Sequence, residues 1–455
     1  MKTLKPSKRK LAGQMAHLRR FLALATLSLL GLTFIPITRA QKVESKDRDR
    51  GQTMLLRIKD ELKKNYYDPG YRGMDLDGRF ATASAKIKEA ASVGQILGII
   101  AQVLIELDDS HTFFLPPQHQ TKVDYGWTMQ MIGDRCFVNS VDKGSDAEAK
   151  GVKIGDEVVE AGGYKLGRNN LWKFNYLYEV LRPQGAIVAT LRSPGGEPRE
   201  LQLIAKQTTA KKIIDLTNYN EIQDLVREDE RKADRERDRF KSFGDQLLIW
   251  KMNNFDLEDY QVDDTIGRAK KYKGLIIDLR GNGGGWVTTM TRLVANFIDH
   301  DVKIADSKMR KETKPLLAKT RGDKVFTGKL TLLVDSDSAS ASEMLARTMQ
   351  LEKRGAVIGD QTAGAVMTSR RFGYEAGLDV VIFYGVSVTV ADMIMPDGNS
   401  LEHHGVVPDE LRLPTAEDLA AGRDVVMSYA ASLHGVTLDP LEAGKLFDFQ
   451  RKRSQ

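Results

Sequence analysis

Lys329-Leu330-Thr331-Leu332-Leu333-Val334-Asp335 leads into Ser338-Ala339-Ser340-Ala341-Ser342-Glu343 and then Met344-Leu345-Ala346-Arg347-Thr348-Met349. The first run reads as a short core strand, and the stretch from Glu343 reads as the helix that follows it. A serine held at such a junction meets the free backbone N–H groups of a helix start, which can stabilise an oxyanion. Taken alone, the alternating serines fit a capping segment equally well, with Ser340 or Ser342 as N-cap.

The surroundings of this junction predict an α/β core. From Leu247-Leu248-Ile249-Trp250-Lys251-Met252 to about Leu413, apolar strands alternate with helical stretches, so residues 246–413 are read as an α/β core. A second glycine-bearing junction lies inside it, Leu275-Ile276-Ile277-Asp278-Leu279-Arg280-Gly281-Asn282-Gly283-Gly284-Gly285-Trp286. Its glycines let backbone N–H groups approach a bound atom closely. A phosphate cradle would need the P-loop spacing and its Lys-Ser/Thr, and neither is present. An oxyanion donor loop fits better.

Upstream, apolar residues recur at helical spacing between Met54 and Leu107, which predicts a helical domain over 41–119. It ends in Asp108-Asp109-Ser110-His111-Thr112, beside Phe113 and Phe114. From about Asp124 to Ala205 short strands and turns take over, and residues 120–206 are expected to form one small β-rich domain. Residues 227–241 are almost wholly charged with mixed signs, as in a solvated helix or linker, assigned to 207–245. Leu419, Val425, Val426, Tyr429 and Leu433 place a helical tail over 414–455, expected to pack back on the core.

Composition sets the compartment. The first forty residues hold eight Lys or Arg and no acid, so the formal charge changes from +6 to −2 without them. A basic stretch (2–20), an apolar run (21–35) and Thr38-Arg39-Ala40 read as a signal peptide cleaved after Ala40, hence export to a periplasmic or extracellular space. An uncleaved anchor is the alternative, although fifteen apolar residues fall short of the ~20 that span a bilayer. No stable membrane span is expected after cleavage. Cys136 is the single cysteine, which excludes an internal disulfide and any multi-cysteine metal site. The near-neutral mature charge and the absence of a basic stripe argue against a nucleic-acid partner.

Several segments occur in a fixed order: Asp278-Leu279-Arg280-Gly281-Asn282-Gly283-Gly284-Gly285, then Ser338 to Glu343, then Gly359-Asp360-Gln361-Thr362-Ala363-Gly364-Ala365, then Pro396-Asp397-Gly398 and Glu402-His403-His404-Gly405-Val406-Val407-Pro408-Asp409. Together they resemble the S41 serine peptidases, the C-terminal processing and tricorn-type proteases. The resemblance implies a ClpP/crotonase-like spiral core with an N-terminal helical domain and an inserted PDZ-like domain. In the insert, Gly144-Ser145-Asp146-Ala147-Glu148 and Gly151 to Val159 are similar to PDZ segments. Tyr125, Gly126 and Trp127 would then form the loop that holds a peptide C-terminus. A β-rich spacer with no ligand is the alternative.

The resemblance makes Ser340 the nucleophile. One branch of the family activates it with a lysine in Thr-Phe-Gly-Lys-Gly, but the matching position here is Ala365, and no lysine falls between Thr362 and Met395. A serine hydroxyl needs a base within hydrogen-bond reach. The tricorn-type branch takes its base from a Ser-His pair ahead of the PDZ domain, which Ser110-His111 matches. Glu402 matches that branch's glutamate. A histidine beside aromatics is otherwise a packed, satisfied ring, and His403 and His404, being adjacent, are not assigned a metal. Backbone N–H groups of Ala341 and Gly284, with Gly283 as the neighbouring alternative, would hold the oxyanion.

The expectation is therefore an exported serine endopeptidase with no cofactor, acting on polypeptides, with homo-oligomerisation left open. A catalytically inactive peptide-binding relative, suggested by Ala365, is one rival. A crotonase-like acyl-CoA enzyme is another, opposed by the export signal and the PDZ-like insert.

Overall fold

A computed structural model describes residues 43–118, 121–209, 238–376 and 382–447. The leader expected over 1–40, most of the charged run 227–241 and the last eight residues lie outside the described residues. Helices α1 (Ser45–Asn65), α2 (Leu76–Lys88) and α3 (Val93–Ile105) come first. Asp75 and Ser92 cap α2 and α3 by accepting the N–H of Gly78 and Gln95. Leu55, Ile58 and Leu62 fall on one face of α1, and they share a core with Ile87, Ile96, Ile100 and Leu104. That core also contains Phe114, Val386 and Val388. The helical segment is thus not closed on itself: its last residues, β1 (Phe113–Leu115), pair with Ser387, Val386 and Gly385 far downstream.

Strand β2 (Thr121–Asp124) opens an insertion. It holds a five-stranded antiparallel sheet of β3 (Trp127–Ile132), β4 (Arg135–Val141), β5 (Glu157–Ala161), β6 (Ala186–Arg192) and β7 (Arg199–Ile204), in that order. Helices α4 (Asp146–Ala149) and α5 (Leu171–Asn175) lie between these strands, and α5 runs on as a π-helical turn to Leu181. Strand β8 (Lys206–Thr209) then pairs antiparallel with β2, so the chain enters and leaves side by side. Cys136 is buried here and unpaired, and burial pushes its thiol up to about 12, which makes it an inert core residue.

The third region holds β9 (Arg239–Phe243), β10 (Leu247–Lys251), α6 (Asp259–Ala269), β11 (Gly274–Asp278), α7 (Val287–Phe297), β12 (Val302–Met309), β13 (Thr313–Ala318), β14 (Lys329–Val334), α8 (Ala341–Leu351), β15 (Ala356–Gly359), β16 (Met367–Ala376), β17 (Ile382–Ile394) and β18 (Glu410–Leu411). Helices α9 (Ala416–Ala421), α10 (Val425–Leu433) and α11 (Pro440–Lys445) close the chain. A six-stranded sheet runs β18-β15-β14-β11-β10-β9 and is parallel except for β9. Every residue of β10 and β11 is buried, as a parallel sheet covered on both faces requires. Leu248, Trp250, Leu275 and Ile277 pack on one side with Val262, Met290, Leu293 and Leu345, from α6, α7 and α8. Their neighbours Leu247, Ile249 and Ile276 pack on the other with Val426, Met427 and Ala430 of α10. The two-residue alternation of a strand divides them.

Two details depart from the sequence reading. Residues 239–243 form an edge strand rather than a charged linker. Residues 302–318 form an antiparallel hairpin, and 367–376 pair antiparallel with 382–394, in place of strand–helix units; with β1 these strands build a second, five-stranded sheet. The short link between Met309 and Thr313 leaves no room for a crossover helix.

His434, at the end of α10, lies against this core: its Nε2 is 3.0 Å from Thr331 Oγ1, and a Cβ added at Gly274 would stand 2.1 Å from its Nδ1. Burial, aided by the Lys329 charge, lowers its pKa to about 4. Between pH 6.5 and 4 the unfolded chain therefore binds a proton here that the folded chain does not. His434 thus destabilises progressively as pH falls through that window, by about 2–3 kcal/mol in all. Urea unfolding is expected to show this as a pH-dependent difference from His434→Gln. Parallel stability curves for the two proteins would refute it.

Candidate active site

Strands β11 and β14 pair directly, Asp278 opposite Leu333, so the loops leaving their carboxyl ends lie side by side. Such ends are where α/β sheets place ligands. In the loop after β14, the three serines differ. Ser338 and Ser342 are fully buried: Ser338 Oγ donates to Leu279 O (2.9 Å), and Ser342 Oγ donates to Asn282 O (2.9 Å). Both stitch the serine loop to the glycine loop. Ser340 alone is partly exposed, at the N-cap of α8 with φ 56° and ψ −114°. That backbone is costly for a residue with a Cβ, and it is held by its surroundings. The Ser340 N–H donates to Ala365 O (3.0 Å) and to Glu343 Oε2 (2.9 Å).

Glu343, fully buried, is the hub behind the serine. Its carboxylate also accepts from Thr362 Oγ1 (2.6 Å), Gly364 N–H (2.8 Å) and Ala365 N–H (3.0 Å). Burial raises its pKa to about 7, against the pull of these donors. Sequence reasoning assigned Glu343 no role; its place three residues after Ser340 was the available capping-box signal.

On the glycine loop, Gly284 has φ +96°, and a Cβ there would lie 2.8 Å from Ser340 Cβ and 2.9 Å from Ala339 O. Only glycine fits. The Gly284 N–H, however, donates to Oδ1 of the buried Asn282 (2.9 Å), whose Nδ2 is tied to Met252 O (3.0 Å). Among the described residues the N–H groups of Gly283 and Ala341 have no protein acceptor. Of the expected oxyanion donors, Ala341 and Gly283 have N–H groups without a protein acceptor among the described residues, whereas the Gly284 N–H is engaged by Asn282.

The Ser110–His111 turn arrives from the end of α3. Ser110 Oγ donates to Glu402 Oε2 (2.9 Å) and stands 2.7 Å from His111 Nδ1. Since the hydroxyl has one proton and gives it to the carboxylate, it accepts from Nδ1–H, which leaves Nε2 with a free lone pair. Burial lowers the His111 pKa, and the Asp109 charge opposes this. Glu402 also accepts the N–H of Ser110 (2.8 Å) and of Val366 (2.9 Å). Burial raises its pKa, and these donors act the other way.

One peptide unit links the two halves. Ala365 C=O accepts the Ser340 N–H, and the next N–H, of Val366, reaches Glu402. The structure thus brings Ser340, Ser110, His111 and Glu402 into one neighbourhood. Ser340 Oγ and the His111 ring share no hydrogen bond among the described residues, and such bonds commonly tighten only with substrate bound. His403 and His404 turn to different carbonyls, of Asp108 and of Glu402 (2.8 Å each). Among the described residues no cluster of His, Cys, Asp and Glu has the geometry of a metal site.

Tyr125, Gly126 and Trp127 stand apart, in the insertion. The Tyr125 hydroxyl accepts the Gln184 N–H (3.1 Å), the Gly126 N–H donates to Asp124 Oδ1 (2.9 Å), and Trp127 is buried in the sheet core. A peptide carboxylate at Gly126 would have to displace the Asp124 acid. The insertion touches the serine loop elsewhere: Gln130 Nε2 donates to Asp335 Oδ2 (2.7 Å), and Ser336 Oγ donates to Met131 O (2.7 Å).

A strained serine at a helix start, beside N–H groups without a protein acceptor among the described residues and in one neighbourhood with a half-buried histidine, has the parts of an acyl-transfer site. Residues 246–411 match the model of peptidase family S41. The chain is 25% identical over 332 residues to the chloroplastic C-terminal processing peptidase of Tetradesmus obliquus, covering 69% of this chain and 67% of that one. It is 25% identical over 403 residues to a probable CtpA-like serine protease of Staphylococcus haemolyticus, covering 84% and 71%. Mature CPAF shares the fold, with a TM-score of 0.62 at 15% identity over 83% of this chain and 95% of that one. The protein is a serine-type peptidase. Its residues 246–411 form a peptidase family S41 domain.

Proposed function

We propose that this chain is an exported endopeptidase of the C-terminal processing kind, cleaving extended polypeptides through an acyl-enzyme on Ser340 with His111 as general base. The observation that carries the reading is the relay His111–Ser110–Glu402–Val366, which ends on the peptide unit that anchors Ser340. His111 Nε2 takes the Ser340 proton as Oγ attacks the scissile carbonyl, and the imidazolium returns that proton to the leaving amine. Ala341 and Gly283 N–H hold the oxyanion, and loss of one such donor typically costs about 10²–10³ in turnover. Water, activated by His111, then releases the acyl group.

In the same reading, the core is a ClpP/crotonase-like spiral, and residues 120–206 are a PDZ-like domain that presents substrate. The outer edge of β3, which pairs with no further strand among the described residues, suits an added strand, and Gln130 of β3 itself reaches the serine loop. Ser110 and Glu402 orient the base, which works without lysine and so accommodates Ala365.

Labelling with a fluorophosphonate tests this directly. The adduct is expected on Ser340 by mass spectrometry, and His111→Ala should abolish it. An inactive peptide-binding protein would leave Ser340 unlabelled, and labelling unaffected by His111→Ala would remove histidine from the mechanism. The neutral imidazole is the working form, and burial holds its pKa below the usual value near 6.5. We expect kcat/KM to rise from acid with a midpoint below 6.5 and to stay level from pH 7 to 8. A midpoint well above 7 would contradict a buried neutral base.

A further inference from the structure

We infer that Asp109 is a positioning residue for this peptidase: clamped beneath the Ser110–His111 turn, it fixes the main chain of the base and supplies the anion that faces the imidazolium formed in catalysis. The inference rests on the reading of His111 as general base. Asp109 is 1% exposed. Its Oδ1 accepts three hydrogen bonds, from the N–H of His111 (2.8 Å), the N–H of Thr112 (3.0 Å) and Oγ1 of Thr389 (2.6 Å). Thr389 lies on β17 and is itself fully buried. Its N–H donates to Thr112 Oγ1 (2.9 Å), which donates in turn to Thr389 Oγ1 (3.1 Å). One carboxylate thus ties the turn that carries the base to the central strand of the antiparallel sheet.

The rest of the carboxyl is informative. Asp109 Oδ2 and the hydroxyl of Tyr66 are both buried without a hydrogen-bond partner. Tyr66 is fully buried at the end of α1, and burial followed by the Asp109 charge raises its pKa. A bond from the phenol to Oδ2, direct or through one water, satisfies both atoms, whereas leaving each unpaired costs about 1–3 kcal/mol. Glu402, by contrast, meets the His111 ring only through Ser110 Oγ. Burial lowers the His111 pKa, and the nearby Asp109 charge opposes it.

The other charged groups around the base are accounted for. Glu402 lies behind Ser110, and His403 Nε2 stands 3.8 Å from Glu402 Oε1 and bonds to Asp108 O (2.8 Å). Asp108 pairs with Lys173 (3.1 Å), and the pKa of Arg72 is raised against the effect of burial by Tyr67 and Tyr66, then by Asp109 and Glu402. None of these contacts the His111 main chain as Asp109 does.

The test is the pH profile of the full-length enzyme. Asp109→Asn keeps an Oδ1 acceptor and removes the charge, so the acid limb of kcat/KM should move to lower pH. A drop in kcat of about 10- to 100-fold with KM unchanged should accompany it, as for lost groups that orient a functional histidine. Thr389→Val removes one clamp at constant shape and should lower kcat severalfold, with Thr389→Ser restoring it. An unmoved acid limb and wild-type kcat in Asp109→Asn would overturn the proposal. If Asp109→Asn does not fold, equal kcat in Thr389→Val and Thr389→Ser overturns it instead. Full activity of His111→Ala would mean that the underlying assignment of the base had failed, a result separable from either.

Discussion

Replacing Ser340 by alanine is expected to lower hydrolysis of an unfolded protein by about 10⁴–10⁶-fold, the range seen when an acyl-transfer nucleophile is deleted. The folded state should be nearly unaffected. Ser340 is held through its N–H, by Ala365 O and Glu343 Oε2, and alanine keeps that N–H. The burden of joining the two loops falls on Ser338 and Ser342, which the substitution leaves alone. Thermal unfolding should therefore shift by no more than surface substitutions usually cause, within about 0.5 kcal/mol. Progress curves on a casein-like substrate and a urea titration of the same preparation decide the matter. Retention of more than a hundredth of the activity would mean that another group is the nucleophile.

The second large effect is on stability. Arg280 donates to Asp278 Oδ1 and Oδ2 (2.9 and 2.8 Å) and to Asp424 Oδ1 and Oδ2 (2.9 and 2.7 Å). Asp278 is buried at the end of β11, and Lys251 lies 3.4 Å from it and also donates to Arg280 O. Burial disfavours the Asp278 charge, but Arg280 and Lys251 hold its pKa well below the usual carboxylate range. Asp424 caps α10, so the network fastens the C-terminal helices to the sheet beside the glycine loop. Arg280→Met removes the shared cation and leaves two carboxylates facing each other. We expect a loss of roughly 3–5 kcal/mol, the cost of breaking a buried pair. Arg135→Met, which ends a largely exposed pair with Glu157, should cost no more than about 1 kcal/mol. Urea midpoints for the two variants test the contrast, and comparable losses would show that burial does not govern these ion pairs.

The parallel sheet was readable because its strands, such as 247–251 and 274–278, are continuous apolar runs with helical patterns between them. The antiparallel sheet was not. Residues 367–376 mix charged, aromatic and small residues, and β16 becomes a strand by pairing along almost its whole length with β17. Nor did periodicity show that the helices at 45–105 would share a core with Val386 and Val388.

In the site, the serine repeat, the glycine loop and the alanine at position 365 are local patterns, and the family resemblance they carry is what pointed to Ser340 and His111. The donor roles around them are not local. The sequence does not show that the Asn282 side chain engages the Gly284 N–H, nor that Asp109 and Glu343 gather several donors; for Glu343 its spacing from Ser340 was the one local hint.

The amino-acid order by itself determined the strand–serine–helix junction, since turn chemistry and burial period are set by residues a few places apart. Only the tertiary structure decided that Ser110 and Glu402, 292 residues apart, would share hydrogen bonds, and that the peptide unit after Ala365 would join them to Ser340. Such meetings depend on how whole sheets and helices pack, and on the register between strands distant in the chain. No local period encodes that register.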